Sequence, residues 1–153
     1  MSIENRLLQL GIVLPTPPVP LASYVPAVVA GGMLYISGQL PMTEKGLMHS
    51  GLVGQSVSLA DAKAAARQCS LNILAQAKAA LGSLDRVSQV VRLGAFIACI
   101  DGFTDQPEVA NGASDLMFEL FGDQGRHARA AVGVNSLPRG ACVEVEASFA
   151  IMT

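Results

Sequence analysis

The sequence predicts an α+β domain with elements in the order ββαβαββ, a single sheet with two long helices packed on one face. Three observations lead there. Leu59, Ala62, Ala66, Cys69, Ile73, Ala77 and Leu81 recur at gaps of three or four, the period of a helix with one buried stripe. Near the C-terminus Val143, Val145, Ala147, Phe149 and Ile151 alternate with Glu144, Glu146, Ser148 and Ala150, the period of a strand with one apolar face. Between these lie β-branched and aromatic runs bounded by glycine and proline.

In chain order, residues 2 to 10 have the make-up of a short helix, and the "PTPPVP" that follows reads as an extended strap over the surface. "SYVPAVVAGGMLYISGQL" gives two short strands around Gly31-Gly32, a hairpin turn signal. At "SLAD" Ser58 caps the first long helix and Asp61 favours its positive end; Gly82 stops it. "RVSQVVRLGAFIACI" reads as a long strand. "TDQPEVANGASDLMFELFG" gives the second helix, with Pro107 near its start and Val109, Ala113, Leu116, Leu120 and Phe121 on one side. Gly112 weakens the helical signal there. "ARAAVGV" and "CVEVEASFAI" are two further strands joined by "NSLPRG", a turn containing Pro138 and Gly140.

At 153 residues the chain fits one domain, 1–153, with 1–22 forming the N-terminal helix and the proline-rich strap. Only 14% of its residues are charged, against about 25% in an average soluble chain, while 51% are hydrophobic. So apolar a surface is expected to be covered by copies of the same chain. The longest apolar stretch, Val25 to Ile36, contains a proline and two glycines and falls short of the ~18 residues of a membrane span. Glu4 and a lone Arg6 do not make a basic leader, so a cytoplasmic protein with no membrane partner is expected.

Cys69, Cys99 and Cys142 are odd in number and widely spaced, which suggests reduced, mostly buried thiols. His49 and His127 share no metal-ligand spacing with each other or with a cysteine, so neither a metal nor a cofactor is expected. From Leu93 to Gly125 there are six acidic residues and no lysine or arginine, and tryptophan is absent from the chain. A solvated helix face explains the charge run, and nucleic acid is not an expected partner.

Two blocks carry a family resemblance. "SYVPAVVAGGMLYISGQLP" resembles the tyrosine-containing strand and Ser-Gly-Gln-hydrophobic-Pro motif of the RidA (YjgF) family, often labelled endoribonuclease L-PSP. "ARAAVGVNSLPRGACVEVEA" is similar to that family's Arg-containing strand, Leu-Pro turn and Glu-x-Glu-Ala strand. The resemblance implies a chorismate-mutase-like domain assembled as a homotrimer, with sites between subunits. It implies a deaminase that hydrolyses reactive enamines and imines, such as 2-aminoacrylate, to 2-keto acids and ammonia. Carried over by motif, Arg129 would hold the substrate carboxylate, Tyr24 and Ser37 would line the site, and Glu144 would orient or activate water. Asn111, in "VANGAS", matches a helix asparagine of the site once one residue is inserted before Arg129. The deaminases have a cysteine two residues after the arginine, where this chain has Ala131, so it resembles a diverged branch.

The chemistry agrees with the residue types. A guanidinium is a planar fork that pairs with a carboxylate through two hydrogen bonds, most strongly where water is excluded. An imine protonated on nitrogen is already electrophilic and needs chiefly orientation and a water, which a carboxylate such as Glu144 can deliver. The competing reading of Arg129 is an ion pair with Glu144 or Glu146 on a neighbouring strand, and that of Glu144 a solvated strand face. Arg126 and His127 read as exposed loop residues, and Cys142 as a small buried thiol. Two other functions remain: a non-catalytic protein that binds or senses small keto acids through the same arginine, and an endoribonuclease, which the acidic run opposes.

Overall fold

Ser2 turns its hydroxyl back to accept the amide of Asn5, and the first helix, α1 (Ile3–Gln9), starts there. The computed structural model describes residues 1–17, 19–20 and 22–153. Helix α1 is tied to a distant turn by reciprocal capping. The Asp85 carboxylate accepts from the amides of Ile3 at 2.7 Å and Glu4 at 3.2 Å. The Glu4 carboxylate in return accepts from the amide of Leu84 at 2.9 Å and from Lys78 Nζ at 2.8 Å.

Strands β1 (Ala27–Ala30) and β2 (Met33–Gln39) form the expected hairpin. Gly31 and Gly32 have φ of +59° and +75°, the consecutive left-handed pair that a tight two-residue turn requires. A separate small hairpin, β3 (Met42–Thr43) with β4 (Gly46–Leu47), has no counterpart in the sequence reading. Ser58 accepts the amide of Asp61 to open α2 (Leu59–Leu81), and Gly82 closes it at φ +82°. The stripe from Ala62 to Leu81 is buried; Leu59, in the first turn, is exposed. Strand β5 (Val87–Ala98), helix α3 (Gln106–Phe121), strand β6 (Ala128–Val134) and strand β7 (Val143–Ile151) complete the chain.

The main sheet runs β1-β2-β7-β5-β6, with β6 parallel to β5 and the other pairs antiparallel. The expected turn between β6 and β7 is therefore not a hairpin. Helix α3 carries the chain from β5 across to a parallel β6, which leaves β6 at the edge, and the segment after it passes β5 to reach β7. Arg139 in that segment holds φ +60°, a left-handed conformation outside glycine.

Leu34, Leu93, Val143, Val145 and Phe149 meet the buried stripes of α2 and α3 on one face of the sheet. Small residues set how close the helices come. A Cβ on Gly112 of α3 would run into the main-chain carbonyl of Lys63 in α2, so glycine is there for approach, and the helix runs through it unbroken. The sheet's other face presents Val28, Tyr35, Arg92, Glu144, Glu146 and Ser148, all partly or fully exposed. The six carboxylates of the acidic run are all exposed, with Glu108 and Glu119 reached by Lys63 and Arg67 of α2. Among the described residues no helix is long and apolar enough to cross a membrane.

Candidate functional site

Arg129 is the second residue of β6 and stands opposite Leu93 of β5. Leu93 is a core residue, so Arg129 projects to the helix-bearing face, at the edge where α3 overhangs the sheet. There Nη1 donates to Asn111 Oδ1 at 2.8 Å and to Ser114 Oγ at 3.1 Å. Asn111 and Ser114 are three apart on α3 and share one side of the helix. The guanidinium makes no other hydrogen bond to the described residues. It is fixed at one corner and keeps free donors at the rest.

Beside it the His127 ring makes two short contacts, Nδ1 to the carbonyl of Gly125 at 2.7 Å and Nε2 to Ser114 Oγ at 2.8 Å. A carbonyl only accepts, so Nδ1 carries the proton and Nε2 receives the Ser114 hydroxyl. Burial lowers the imidazole's pKa; the Gly125 carbonyl opposes that, and the charge of Arg129 adds to it. The neutral ring is thereby favoured over the imidazolium more than in a free histidine. A cavity of about 410 Å³ opens here, lined by Ser114, Asp115, Phe118, Arg126, His127 and Arg129. Arg126 lies over the Phe118 ring at 4.7 Å and reaches Asp123 at 3.3 Å.

The other three expected site residues gather elsewhere. Ser37 Oγ donates to the carbonyl of Val25 at 2.7 Å, which holds the segment carrying Tyr24 against β2. Tyr24 lines a groove of about 310 Å³ with Gly38 and Arg139. The Glu144 carboxylate covers Gly38, where any Cβ would strike it. Burial raises the Glu144 pKa, and the neighbouring Glu146 raises it further. Glu144 stands opposite Phe96 of β5, Arg129 opposite Leu93, and β5 lies between their strands. At ~4.8 Å per strand and ~3.3 Å per residue the two Cα atoms are roughly 14 Å apart, on opposite faces of the sheet.

The structure thus divides the five into Arg129 with Asn111, and Tyr24 with Ser37 and Glu144. The ion pair between Arg129 and Glu144 or Glu146 is not formed; Glu146 faces Arg92 at 3.8 Å instead. Arg126 is exposed as expected, but His127 is a correction: it is half-buried and bonded at both nitrogens. Ser114 was missed as well. Its helical spacing from Asn111 was the signal that could have found it. Ala131 follows Arg129 on the same face of β6 by alternation. Cys142 is buried, and burial pushes its thiol up to about 11.

The model of the family described as "YjgF/chorismate mutase-like, putative endoribonuclease" matches residues 4–147. The chain is 49% identical to Protein TCP17 of Trypanosoma cruzi, over 95% of this chain and 91% of that one. It is 32% identical to a 2-iminobutanoate/2-iminopropanoate deaminase of Dermatophagoides farinae, over 90% and 92% of the two chains. Among solved structures it is similar to a protein of unknown function from Agrobacterium tumefaciens, at 48% identity and a TM-score of 0.91, covering 98% of this chain and 92% of that one.

Proposed function

The chain belongs to the YjgF/chorismate mutase-like (RidA) family, and on that premise we propose that it hydrolyses reactive 2-imino acids to 2-keto acids and ammonia. The observation that carries this reading is Arg129, held by Asn111 and Ser114 at one corner with its remaining donors free. That is the state of a guanidinium prepared for a carboxylate. With the carboxylate fixed, water adds to the C=N carbon, the nitrogen takes a proton, and the carbinolamine expels ammonia to leave the keto acid. Glu144 orients the water and accepts its proton, and its raised pKa makes it a stronger base than an ordinary carboxylate.

A single chain does not bring these groups to one ligand, because Arg129 and Glu144 lie on opposite faces. The working unit is therefore a homotrimer in which Tyr24, Ser37 and Glu144 of one subunit meet Arg129 and Asn111 of the next. The apolar composition and the partly apolar open sheet face support such an assembly. Three free cysteines fit a reducing cytoplasm.

Ala131 favours a second reading, a keto-acid binding protein without turnover, because the thiol that the deaminases carry at this position is replaced by a methyl. One experiment separates the two. Ammonia release from freshly generated 2-aminoacrylate, keto-acid binding and sedimentation are measured for wild type, Arg129→Ala, Arg129→Lys and Glu144→Gln. Arg129→Ala should lose about 2 to 5 kcal/mol of keto-acid binding, and lysine should not restore it. Glu144→Gln should bind and assemble but slow hydrolysis. Binding without ammonia release in the wild type leaves the sensor. Wild-type binding and turnover in Arg129→Ala makes the arginine a brace between β6 and α3 and ends both readings.

A further inference from the structure

The Ser114–His127 contact is more than the imine chemistry asks for. Ser114 Oγ donates to His127 Nε2 at 2.8 Å, His127 is oriented by the Gly125 carbonyl at 2.7 Å, and Arg129 Nη1 donates to the same serine oxygen at 3.1 Å. A hydroxyl is thus placed between a base that can take its proton and a fixed cation that stabilises the oxygen left behind. All three side chains line one open cavity. A base held in its tautomer by a third group is the arrangement that activates serine nucleophiles, here with a main-chain carbonyl as the third group.

We propose that Ser114 and His127 are a nucleophile and base, giving this pocket a second activity: hydrolysis of small activated acyl esters that carry a carboxylate. Ser114 Oγ forms a bond to the acyl carbon while its proton passes to His127 Nε2 and the carbonyl π pair moves to oxygen. As that pair returns, the ester C–O bond breaks and the leaving oxygen takes the proton from Nε2. Water then attacks the acyl-serine, gives its proton to Nε2, and Ser114 recovers it as the acid departs. The donors of Arg129 that Asn111 and Ser114 leave free are available to the developing oxyanion in the same cavity. Arg126 and Arg129 select an anionic substituent, against one carboxylate, Asp115, in the same lining.

The test uses the full-length wild-type protein. It is treated with an alkyl fluorophosphonate, and release of 4-nitrophenol from mono-4-nitrophenyl succinate is followed in parallel. One phosphonyl adduct mapping to Ser114 and faster release than from buffer are expected. Labelling needs neutral His127, whose charged surroundings are Arg126 and Arg129 on its own segment, Asp115 on α3 and Asp123 in the preceding turn. The rate should be flat above pH 7 and fall only below about pH 6.5. His127→Gln should label about 100-fold more slowly or worse with unchanged sedimentation, and Ser114→Ala not at all. A purely structural contact predicts no adduct and no pH profile. No adduct on wild-type Ser114, an adduct elsewhere, or wild-type labelling of His127→Gln overturns the proposal. Ammonia release from 2-aminoacrylate is scored on the same wild-type sample, so failure of the deaminase reading is seen separately.

Discussion

Replacing Gly112 by alanine sets two effects against each other. In the interior of α3 alanine is better than glycine by about 1 kcal/mol, because glycine loses more backbone freedom on folding. The added methyl, however, would overlap the main-chain carbonyl of Lys63 and crowd the amide of Arg67 in α2. Neither can rotate away, so the helices must separate. Overpacking costs about 1 to 3 kcal/mol where side chains can adjust, and the upper end applies where the obstacle is backbone. With a loss near 3 and a gain near 1, the net destabilisation is about 2 kcal/mol, or a Tm lower by roughly 4 to 8 °C for a chain of this length. Displacement of α3 also moves Asn111 and Ser114, which flank Gly112 in sequence, away from Arg129. Keto-acid binding should therefore weaken in the same variant. Thermal unfolding at fixed protein concentration and ligand titration are the assays. A Gly112→Ala protein as stable as wild type, or about 1 kcal/mol more stable, would show that the α2–α3 contact yields easily and that the reasoning about approach is wrong.

Two further outcomes are expected. Cys69 and Cys142 are buried, with thiols raised well above the ordinary range and to about 11, respectively, whereas Cys99 is partly exposed; an aromatic disulfide reagent at pH 8 should react with Cys99 first. Rapid native modification of Cys69 or Cys142, mapped by mass spectrometry, would contradict this. Burial alone would raise the Glu4 pKa, but the hydrogen bonds and charge of Lys78, with the Leu84 amide and Ser83, outweigh it and leave it lowered. A carboxylate with a lowered folded pKa contributes stability above its unfolded pKa of about 4.5, and loses that contribution as pH falls through the folded value. Melting temperatures from pH 6 to pH 3 should fall less steeply for Glu4→Gln than for wild type, and parallel curves would count against the docking role of Glu4.

Much of this molecule is legible locally. Ser58 and Gly82 mark the ends of α2, Gly31-Gly32 marks a turn, and the alternation from Val143 to Ile151 marks a strand with carboxylates on its open side. These features depend on dihedral preference, capping and a repeat of two or 3.6 residues, all contained within a few neighbours. The sequence alone also singled out Arg129 and Asn111, through motifs in a family resemblance rather than through any local period.

The sheet order was not legible. "NSLPRG" between two strands suits a hairpin as well as a passage across a third strand, and only the parallel pairing of β5 with β6 excludes the hairpin. From that pairing follow the exposed edge at Arg129, its meeting with Asn111 and Ser114, and the strand that separates it from Glu144. His127 shows the limit most plainly. Within "GRHA" it resembles a solvated loop residue, and the Gly125 carbonyl that fixes its tautomer is local, but the partner of its other nitrogen is Ser114, thirteen residues earlier on α3. A hydrogen bond between two segments depends on how a helix is laid against a sheet. That placement is decided by packing of the buried stripes of α2 and α3, which no short stretch of sequence contains.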